Sequence, residues 1–316
     1  MPAPTVLFIS RDNDPEAGQW LTALQAALPQ TRLLSFEQAD ADARTTAQVA
    51  IVAVADTDKL SALPALRWVQ SLWAGVESLL ACPALANTPI VRMTDPGLSR
   101  TMAEAVLAWT LYLHRDMPAY RQAQTNAQWA PLPYRPAGDK TVGVLGCGEL
   151  GRAALASLNQ AGFQTRAWSR SARTLPGTQH FAGLQTLPDL LHACDILVNL
   201  LPATAATEKL LNRPRLACLP RGAALINFGR GSVLDDQALL AELDSGRLSH
   251  AVLDVFRDEP LPPDSPFWQH PSVTVLPHIS APTPVHSAAA AAAASNVRRF
   301  LQRGVIPTPV DRERGY

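Results

Sequence analysis

Residues 142–151 read VGVLGCGELG, and the spacing of their glycines indicates how this chain folds. The pattern GxGxxG starts at Gly146, directly after the apolar run Thr141–Leu145 and directly before the helical run Glu149–Ala161. In such a strand–turn–helix unit the first glycine makes a tight turn and the second leaves room for a pyrophosphate. The third lets the helix and the strand pack closely, and free N–H groups at the helix N-terminus bind the phosphates. We therefore predict a dinucleotide-binding turn, with a glycine-rich turn that binds nothing as the alternative.

Apolar runs alternate with helical patterns on both sides of this turn. The runs before the turn predict four buried strands, with a helix over 15–28: Val6–Ile9, Leu33–Phe36, Val49–Val54 and Leu66–Leu72. Those from the turn onward predict six: Thr141–Leu145, Gln164–Trp168, Asp195–Leu200, Ala224–Phe228, His250–Val255 and Val273–Leu276. Between the two series we expect a helix capped by Ser99 and a loop over 126–138. This alternation is typical of parallel sheets covered by helices on both faces.

The order of the two series predicts the domains. An alanine-rich helix, roughly Pro284 to Gln302, follows the second series, and we expect it to return to the first. This gives an α/β fold with two Rossmann-like, doubly wound parallel-sheet domains and a cleft between them. One domain comprises residues 1–98 and 285–316, and the dinucleotide-binding domain comprises 99–284.

Composition narrows the class of protein. The 316 residues are 47% hydrophobic, which is enough for two cores, and the formal net charge is zero. No electrostatic argument therefore points to nucleic acid or to an anionic membrane, and the apolar stretch Ala288–Ala294 is too short to span a bilayer. The four cysteines show no metal-ligand spacing, and the N-terminal MPAPTVLFIS does not resemble a signal peptide. We expect a cytoplasmic protein with no metal, nucleic-acid or membrane partner.

The segment after the predicted strand Gln164–Trp168 carries positive charge. A turn specific for NAD usually has a carboxylate here to accept from the ribose hydroxyls, but no Asp or Glu occurs between Glu149 and Asp189. The side chains offered instead are those of Ser169, Arg170, Ser171 and Arg173. Because arginine binds phosphate through a planar fork of donors, this segment predicts a preference for NADPH/NADP+ over NADH/NAD+. The alternative is a solvated basic loop.

Three chemically active side chains follow later strands. Arg230 lies in NFGRG, Glu259 follows LDVF, and His278 lies in PHIS. Taken singly, they suggest a surface charge, a solvated acid and a core-edge histidine; the other six histidines, His180 among them, have no comparable setting. Together they suit reduction of a 2-oxo acid, because a histidine can protonate the carbonyl oxygen and a carboxylate can stabilise the charged imidazole. The arginine can bind the substrate carboxylate and polarise the carbonyl.

These stretches resemble the D-isomer-specific 2-hydroxyacid dehydrogenases, and among them the glyoxylate/hydroxypyruvate reductase A group. The resemblance covers essentially the whole chain and is strongest after residue 140. It is carried by the glycine turn, NFGRG, LDVFRDEPLPPDSPFWQHP over 253–271, PHIS, and the terminal VDRERGY. One departure is Ile279, where the family often has glycine after the histidine.

The resemblance implies roles for individual residues. Arg230, Glu259 and His278 would be the catalytic residues, with His278 as the proton donor, and Asp254 would meet the nicotinamide carboxamide. The residues expected to bind the cofactor are Gly146, Gly148, Glu149, Leu150, Gly151, Ser169, Arg170, Ser171, Arg173, Leu201, Pro202, Thr207, Phe228, Gly229, Asp254 and Ser280. The residues expected to bind the substrate in the first domain are Trp73, Ala74 and Gly75, in a segment that otherwise reads as an ordinary turn. A homodimer is also implied, with residues 99–135 at its interface; for Trp129 core packing is favoured over contact with a neighbouring active site.

The expected function is therefore NADPH-dependent reduction of a small 2-oxo acid, glyoxylate or hydroxypyruvate, to the 2-hydroxy acid. A second hypothesis keeps the scaffold but takes another 2-oxo acid, because Trp73 and the N-terminal loops would set the size of the pocket. A third is a nucleotide-sensing protein related to corepressors of the same fold. A methyltransferase with a glycine-rich loop would not explain the arginine and the histidine at later strand ends.

Overall fold

The structure is a computed structural model that describes residues 4–94, 96–282, 288–313 and 315. Several expectations fall outside these described residues: the helix start at Pro284, the domain boundary after residue 284, Asp95 in the turn before the long helix, and Arg314 and Tyr316 of the terminal motif. The chain divides into two units, one of Met1–Gly97 with Thr283–Tyr316 and one of Leu98–Pro282.

The unit that contains the N-terminus is built on a five-stranded parallel sheet. Its strands are β1 (Thr5–Ile9), β2 (Arg32–Ser35), β3 (Val49–Val52), β4 (Trp68–Ser71) and β5 (Ile90–Val91), in the order β2-β1-β3-β4-β5. The helices between them are α1 (Ala17–Ala27), α2 (Ala41–Thr46), α3 (Thr57–Ser61) and α4 (Glu77–Leu80). All four residues of β3 are buried, as expected for a parallel strand that helices cover on both faces. The four predicted strands are confirmed; the two-residue β5 was not predicted.

The other unit is built on a seven-stranded parallel sheet. The helices that follow β5 along the chain are α5 (Pro96–His114), α6 (Met117–Thr125), α7 (Glu149–Gln160), α8 (Leu187–Leu191), α9 (Arg213–Leu216) and α10 (Asp236–Asp244). The strands are β6 (Thr141–Leu145), β7 (Gln164–Ser169), β8 (Thr178–Ala182), β9 (Ile196–Asn199), β10 (Ala223–Asn227), β11 (Leu248–Leu253) and β12 (Val273–Val275). The six predicted strands are confirmed, and the sheet has a seventh, β8, at one edge.

The strand order of this sheet shows where a ligand would bind. The order is β12-β11-β10-β9-β6-β7-β8, so the chain reverses its direction of travel across the sheet between β6 and β9. In open parallel sheets, ligands bind beyond the carboxyl ends of the strands at such a switch point. The glycine turn after β6 lies at that position.

The last helix, α11 (Ala288–Arg303), packs within the N-terminal unit. Its buried face repeats at helical spacing through Ala289, Ala290, Ala293, Ala294, Val297 and Phe300. These side chains share one apolar cluster with Trp20 of α1 and Trp68 of β4. Because most of them are alanine, the helix can approach its neighbours closely.

Two sequence expectations about residues 96–130 are wrong. Ser99 does not cap α5, because the helix begins at Pro96 and Ser99 lies inside its first turns. Trp129 is not packed in a core, because its side chain is 99% exposed on the loop after α6. Among the described residues, no helix combines the length and the apolar character that crossing a membrane requires.

Candidate active site

The turn between β6 and α7 gives each glycine a separate role. Gly146 has φ +103°, a conformation that favours glycine, and its N–H donates to Trp168 O over 2.9 Å. A Cβ on Gly148 would meet nothing within 4 Å. A Cβ on Gly151 would overlap the Gly146 carbonyl oxygen and lie 2.9 Å from its carbon. The predicted strand–turn–helix unit is thus confirmed, with a tight turn, open space and close packing in that order.

The first turn of α7 is open to an anion. Its N-cap is Gly148, and no side chain caps the helix. Glu149 is exposed and pairs with Arg152, and Leu150 is half-buried. The Cys147 thiol is buried, and burial raises its pKa, so it stays neutral while it donates to Trp168 O over 3.4 Å. Among the described residues, no three His, Cys, Asp or Glu side chains are grouped as metal ligands.

Beyond β7, a hydrogen bond from the Ser169 hydroxyl restrains the start of the basic segment. Arg170, Ser171 and Arg173 are exposed, whereas Ser169 is buried at the end of the strand. The Ser169 hydroxyl donates to Ser171 O over 2.9 Å and lies 2.8 Å from Nε2 of His180. Sequence reasoning gave His180 no role, because the strand that carries it, β8, was not predicted.

Two buried asparagines connect the ends of β9 and β10. Asn199 Nδ2 donates to Asn227 Oδ1 over 2.8 Å, and Leu201 N donates to Asn199 Oδ1 over 3.2 Å. The same loop is closed by Thr207, whose hydroxyl donates to Pro202 O over 2.7 Å. The asparagines were not predicted as site residues; the available signal was an asparagine ending each strand.

The Arg230 turn requires a glycine on each side. A Cβ on Gly229 would lie 2.6 Å from Leu201 O, and a Cβ on Gly231 would overlap the Phe256 carbonyl group. The Arg230 carbonyl oxygen accepts from Asn227 Nδ2 over 3.3 Å, and Nη1 of the Arg230 guanidinium donates to Gly229 O over 2.8 Å. The buried Phe228 precedes this turn. The backbone around Arg230 is therefore fixed by close packing.

His278 and Glu259 form a hydrogen-bonded pair. His278 Nδ1 lies 2.7 Å from Glu259 Oε2, and Glu259 Oε1 accepts from Phe256 N over 2.8 Å. Because a carboxylate only accepts hydrogen bonds, Nδ1 carries a proton, and Nε2 is the atom that can exchange a proton with a substrate. The His278 side chain is 54% exposed, so that atom can be reached.

Asp254 holds the loop that carries His278. Its buried carboxylate accepts from Ile279 N over 2.7 Å and from Ser280 N over 2.9 Å, and its carbonyl oxygen accepts from His278 N over 3.0 Å. His278 itself has φ +56°. Each carboxylate oxygen keeps a second lone pair, so the expected contact with a carboxamide is still available. Ser280 Oγ is buried and has no hydrogen-bond partner among the described residues, which suits a polar group of a ligand.

The remaining predicted residues belong to the N-terminal unit. Trp73 Nε1 donates to Ala53 O, and the Trp73 ring meets Trp20 edge-on with centroids 6.0 Å apart. Ala74 and Gly75 are half-buried and follow Trp73 in the segment between β4 and α4. The indole is therefore anchored, and the backbone beyond it turns into α4.

Comparison with known proteins identifies the family. The model of the D-isomer specific 2-hydroxyacid dehydrogenase NAD binding domain matches residues 107–280. A D-isomer specific 2-hydroxyacid dehydrogenase from Xanthobacter autotrophicus Py2, solved with NADPH and MES, is 37% identical, with a TM-score of 0.91 over 99% of this chain and 100% of that chain. The chain belongs to the D-isomer specific 2-hydroxyacid dehydrogenases.

Two further members of this dehydrogenase family are similar over nearly the whole chain. An NADPH-dependent glyoxylate/hydroxypyruvate reductase from Sinorhizobium meliloti, solved with NADP and sulfate, is 33% identical, with a TM-score of 0.87 over 99% of this chain and 100% of that chain. A family protein from Klebsiella pneumoniae 342 is also 33% identical, with a TM-score of 0.86 over 98% of each chain. The resemblance seen in the sequence is confirmed, and the methyltransferase alternative is wrong.

As a D-isomer specific 2-hydroxyacid dehydrogenase, the protein is an NAD(P)-dependent oxidoreductase. Its own residues fit a dinucleotide on three observations: the open space at Gly148, the uncapped first turn of α7, and the buried, unpartnered hydroxyl of Ser280. All three lie beyond carboxyl ends of strands in the seven-stranded sheet.

Proposed function

We propose that this dehydrogenase uses NADPH to reduce small 2-oxo acids, glyoxylate and hydroxypyruvate among them, to 2-hydroxy acids. The 2.7 Å pair of His278 Nδ1 and Glu259 Oε2 carries the proposal, because it leaves Nε2 of an accessible imidazole available for proton transfer to a substrate. The similarity to the Sinorhizobium meliloti glyoxylate/hydroxypyruvate reductase supports the choice of substrates.

Each catalytic residue has a separate task in the proposed reaction. When bound, NADPH supplies the hydride for the carbonyl carbon. The Arg230 guanidinium binds the substrate carboxylate and stabilises negative charge on the carbonyl oxygen. His278 donates the proton from Nε2 to that oxygen, and Glu259 holds the imidazole through Nδ1 and stabilises its charged form.

The proposed cofactor preference rests on the basic segment after β7. The exposed guanidinium groups of Arg170 and Arg173, with the Ser171 hydroxyl, would bind the 2′-phosphate, and the turn from Gly146 would bind the pyrophosphate. The relatives from Xanthobacter autotrophicus and Sinorhizobium meliloti were solved with NADPH and NADP, which supports this preference. The unit Leu98–Pro282 would thus bind the dinucleotide, and Trp73–Gly75 is the proposed substrate-binding segment of the N-terminal unit.

The test is a panel of 2-oxo acids assayed with NADPH and with NADH and scored by kcat/KM. We expect NADPH to be preferred, with glyoxylate and hydroxypyruvate among the best substrates. His278→Ala should lower kcat by roughly 10²–10⁴-fold, the usual contribution of general acid catalysis. Arg230→Ala should raise KM and lower kcat, because Arg230 binds both the ground state and the transition state.

The control is His192→Ala, at an exposed histidine outside the proposed site, which should leave both constants unchanged. Near-normal turnover by His278→Ala would refute its role as proton donor. NADPH binding without turnover of any 2-oxo acid would favour the nucleotide-sensing alternative.

We also propose a cytoplasmic homodimer with its interface within residues 99–135. Four free cysteines are consistent with a reducing compartment. The interface proposal is supported by exposed apolar side chains concentrated on α6 and the loop after it: Met117, Tyr120, Trp129, Leu132 and Tyr134. Sedimentation velocity should show a dimer that Trp129→Glu weakens without lowering Tm, and a monomeric wild type would refute the proposal.

A further inference from the structure

A histidine, His180, forms a hydrogen bond at the start of the basic segment that follows β7. His180 lies on β8, the edge strand that pairs in parallel with β7. Its Nε2 is 2.8 Å from the hydroxyl of Ser169, the last residue of β7. That hydroxyl in turn lies 2.9 Å from the carbonyl oxygen of Ser171. The imidazole, the hydroxyl and the carbonyl oxygen form a hydrogen-bond chain that runs from the sheet into the exposed segment.

The direction of each hydrogen bond follows from the chemistry of the groups. A carbonyl oxygen only accepts, so the single hydroxyl proton of Ser169 is used toward Ser171. The Ser169 oxygen must then accept from the imidazole, which places a proton on Nε2 of His180. Burial, and after it the positive charge of Arg173, lower the pKa of His180. The neutral imidazole therefore donates from Nε2 at neutral pH.

Arg173, one of the two arginines of the proposed phosphate site, interacts electrostatically with the His180 end of this hydrogen-bond chain. Its charge acts on the His180 ring, so the ring and this guanidinium are within electrostatic range of each other. Arg170 lies between the two serines that the chain joins, and its backbone is therefore fixed by the Ser169–Ser171 hydrogen bond. The turn that presents Arg170 is thus restrained by the Ser169 hydroxyl, which is itself hydrogen-bonded to the imidazole.

Resting on the NADPH preference proposed above, we propose that His180 is a positioning residue for the 2′-phosphate: it donates from Nε2 to Ser169 and so holds the Ser169–Ser171 turn in its binding conformation. His180 does not itself touch the phosphate in this proposal. Removing the donor frees the Ser169 hydroxyl to rotate, and the turn loses one of its restraints. Affinity for a 2′-phosphorylated nucleotide should fall, while affinity for the same nucleotide without that phosphate should not.

Two amide substitutions separate the donor from the bulk of the side chain. In His180→Gln the amide nitrogen reaches about as far as Nε2 and can still donate to Ser169. In His180→Asn the side chain is one methylene shorter, and its amide cannot reach Ser169. Both replacements are polar and uncharged. His192→Gln, at an exposed histidine in the same unit, is the matched control.

The probes are adenosine 2′,5′-bisphosphate and 5′-AMP, titrated calorimetrically at pH 7.5 into the full-length protein. Loss of a hydrogen bond worth about 1 kcal/mol predicts about fivefold weaker bisphosphate binding in His180→Asn. We expect unchanged 5′-AMP binding in all variants, and wild-type bisphosphate affinity in His180→Gln and His192→Gln. With NADPH as the varied substrate, His180→Asn should raise KM about fivefold at constant kcat. Should His180→Asn fail to fold, His180→Leu, which also lacks the donor, replaces it.

The outcomes distinguish the two proposals. Equal weakening of both probes in His180→Asn, or wild-type bisphosphate affinity in that variant, would overturn the role of His180 alone. Loss of bisphosphate affinity in His180→Gln as large as in His180→Asn would also overturn it, since donation would not be what matters. A wild type that binds both probes equally would overturn the NADPH preference first.

Discussion

Adding one methyl group at Gly151 should separate α7 from the turn that precedes it. In Gly151→Ala the new Cβ would overlap the Gly146 carbonyl oxygen and lie 2.9 Å from its carbon. Non-bonded carbons are at their optimum about 3.5–4.0 Å apart, and the overlap with the oxygen is tighter still, so helix and turn must move apart by at least about 1 Å. The position is inside α7, hence the change also gains the higher helix propensity of alanine.

The net cost follows from these two opposing effects. Because the displaced group is backbone and not a flexible side chain, overpacking here lies at the upper end of its usual range, about 2–3 kcal/mol, and replacing glycine by alanine in a helix returns about 1 kcal/mol. A net loss of about 1–2 kcal/mol corresponds to a fall in Tm of roughly 2–8 °C. Because the turn that should bind the pyrophosphate is displaced, NADPH affinity should fall as well, by roughly 10-fold or more if one charge-assisted hydrogen bond is lost.

Gly148→Ala is the matched control, three residues earlier in the same motif. Its Cβ would meet nothing within 4 Å, and its φ of −76° suits alanine, so Tm should fall by less than about 2 °C. The methyl group would nevertheless occupy the space proposed for the pyrophosphate, and NADPH affinity should fall by a similar factor. Thermal unfolding followed by circular dichroism, together with NADPH titration, measures both quantities. A Gly151→Ala protein with wild-type Tm, or a Gly148→Ala protein with wild-type NADPH affinity, would refute this reasoning.

Two further predictions concern stability. Burial, with the charge of His270, lowers the pKa of His250 to about 4, so the folded state should lose up to about 3 kcal/mol of stability as the pH falls from about 6.5 to about 4. In urea unfolding, His250→Gln should therefore show a weaker dependence of stability on pH than the wild type. An unchanged pH dependence would contradict the assignment. The Lys59 side chain is 12% exposed, and its Nζ donates to Ser10 O, Asp12 and Glu37 over 2.7–2.8 Å, so Lys59→Met should cost about 1–3 kcal/mol in urea unfolding. Lys209→Met removes a 3.4 Å pair with Asp235 in which the lysine side chain is 54% exposed, so it should cost less than about 1 kcal/mol. Equal losses for the two lysines would be evidence against the difference in burial as the cause.

Some parts of this protein could be predicted because their signal is local. The buried run VAIV of β3 and the glycines between β6 and α7 each specify a conformation within a few residues. Arg230, Glu259 and His278 were recognisable because each follows a strand, and parallel strands end at the same edge of a sheet.

Other parts lacked a local signal. The edge strand β8, TQHFA, is only half-buried and shows neither a continuous apolar run nor a clear alternation. Trp129 was expected in a core because large apolar side chains usually are buried, yet it lies on the exposed loop after α6.

The sequence by itself determined the fold class, the dinucleotide turn and the identity of the three catalytic candidates, since spacing along the chain is enough to recognise them. Only the tertiary structure decided which side chains meet: Ser169 with His180, Asn199 with Asn227, and Glu259 with His278. The partners in these pairs are separated by 11, 28 and 19 residues. The packing and register of the strands that carry or precede them bring each pair together, and those depend on the whole sheet rather than on any local stretch of sequence.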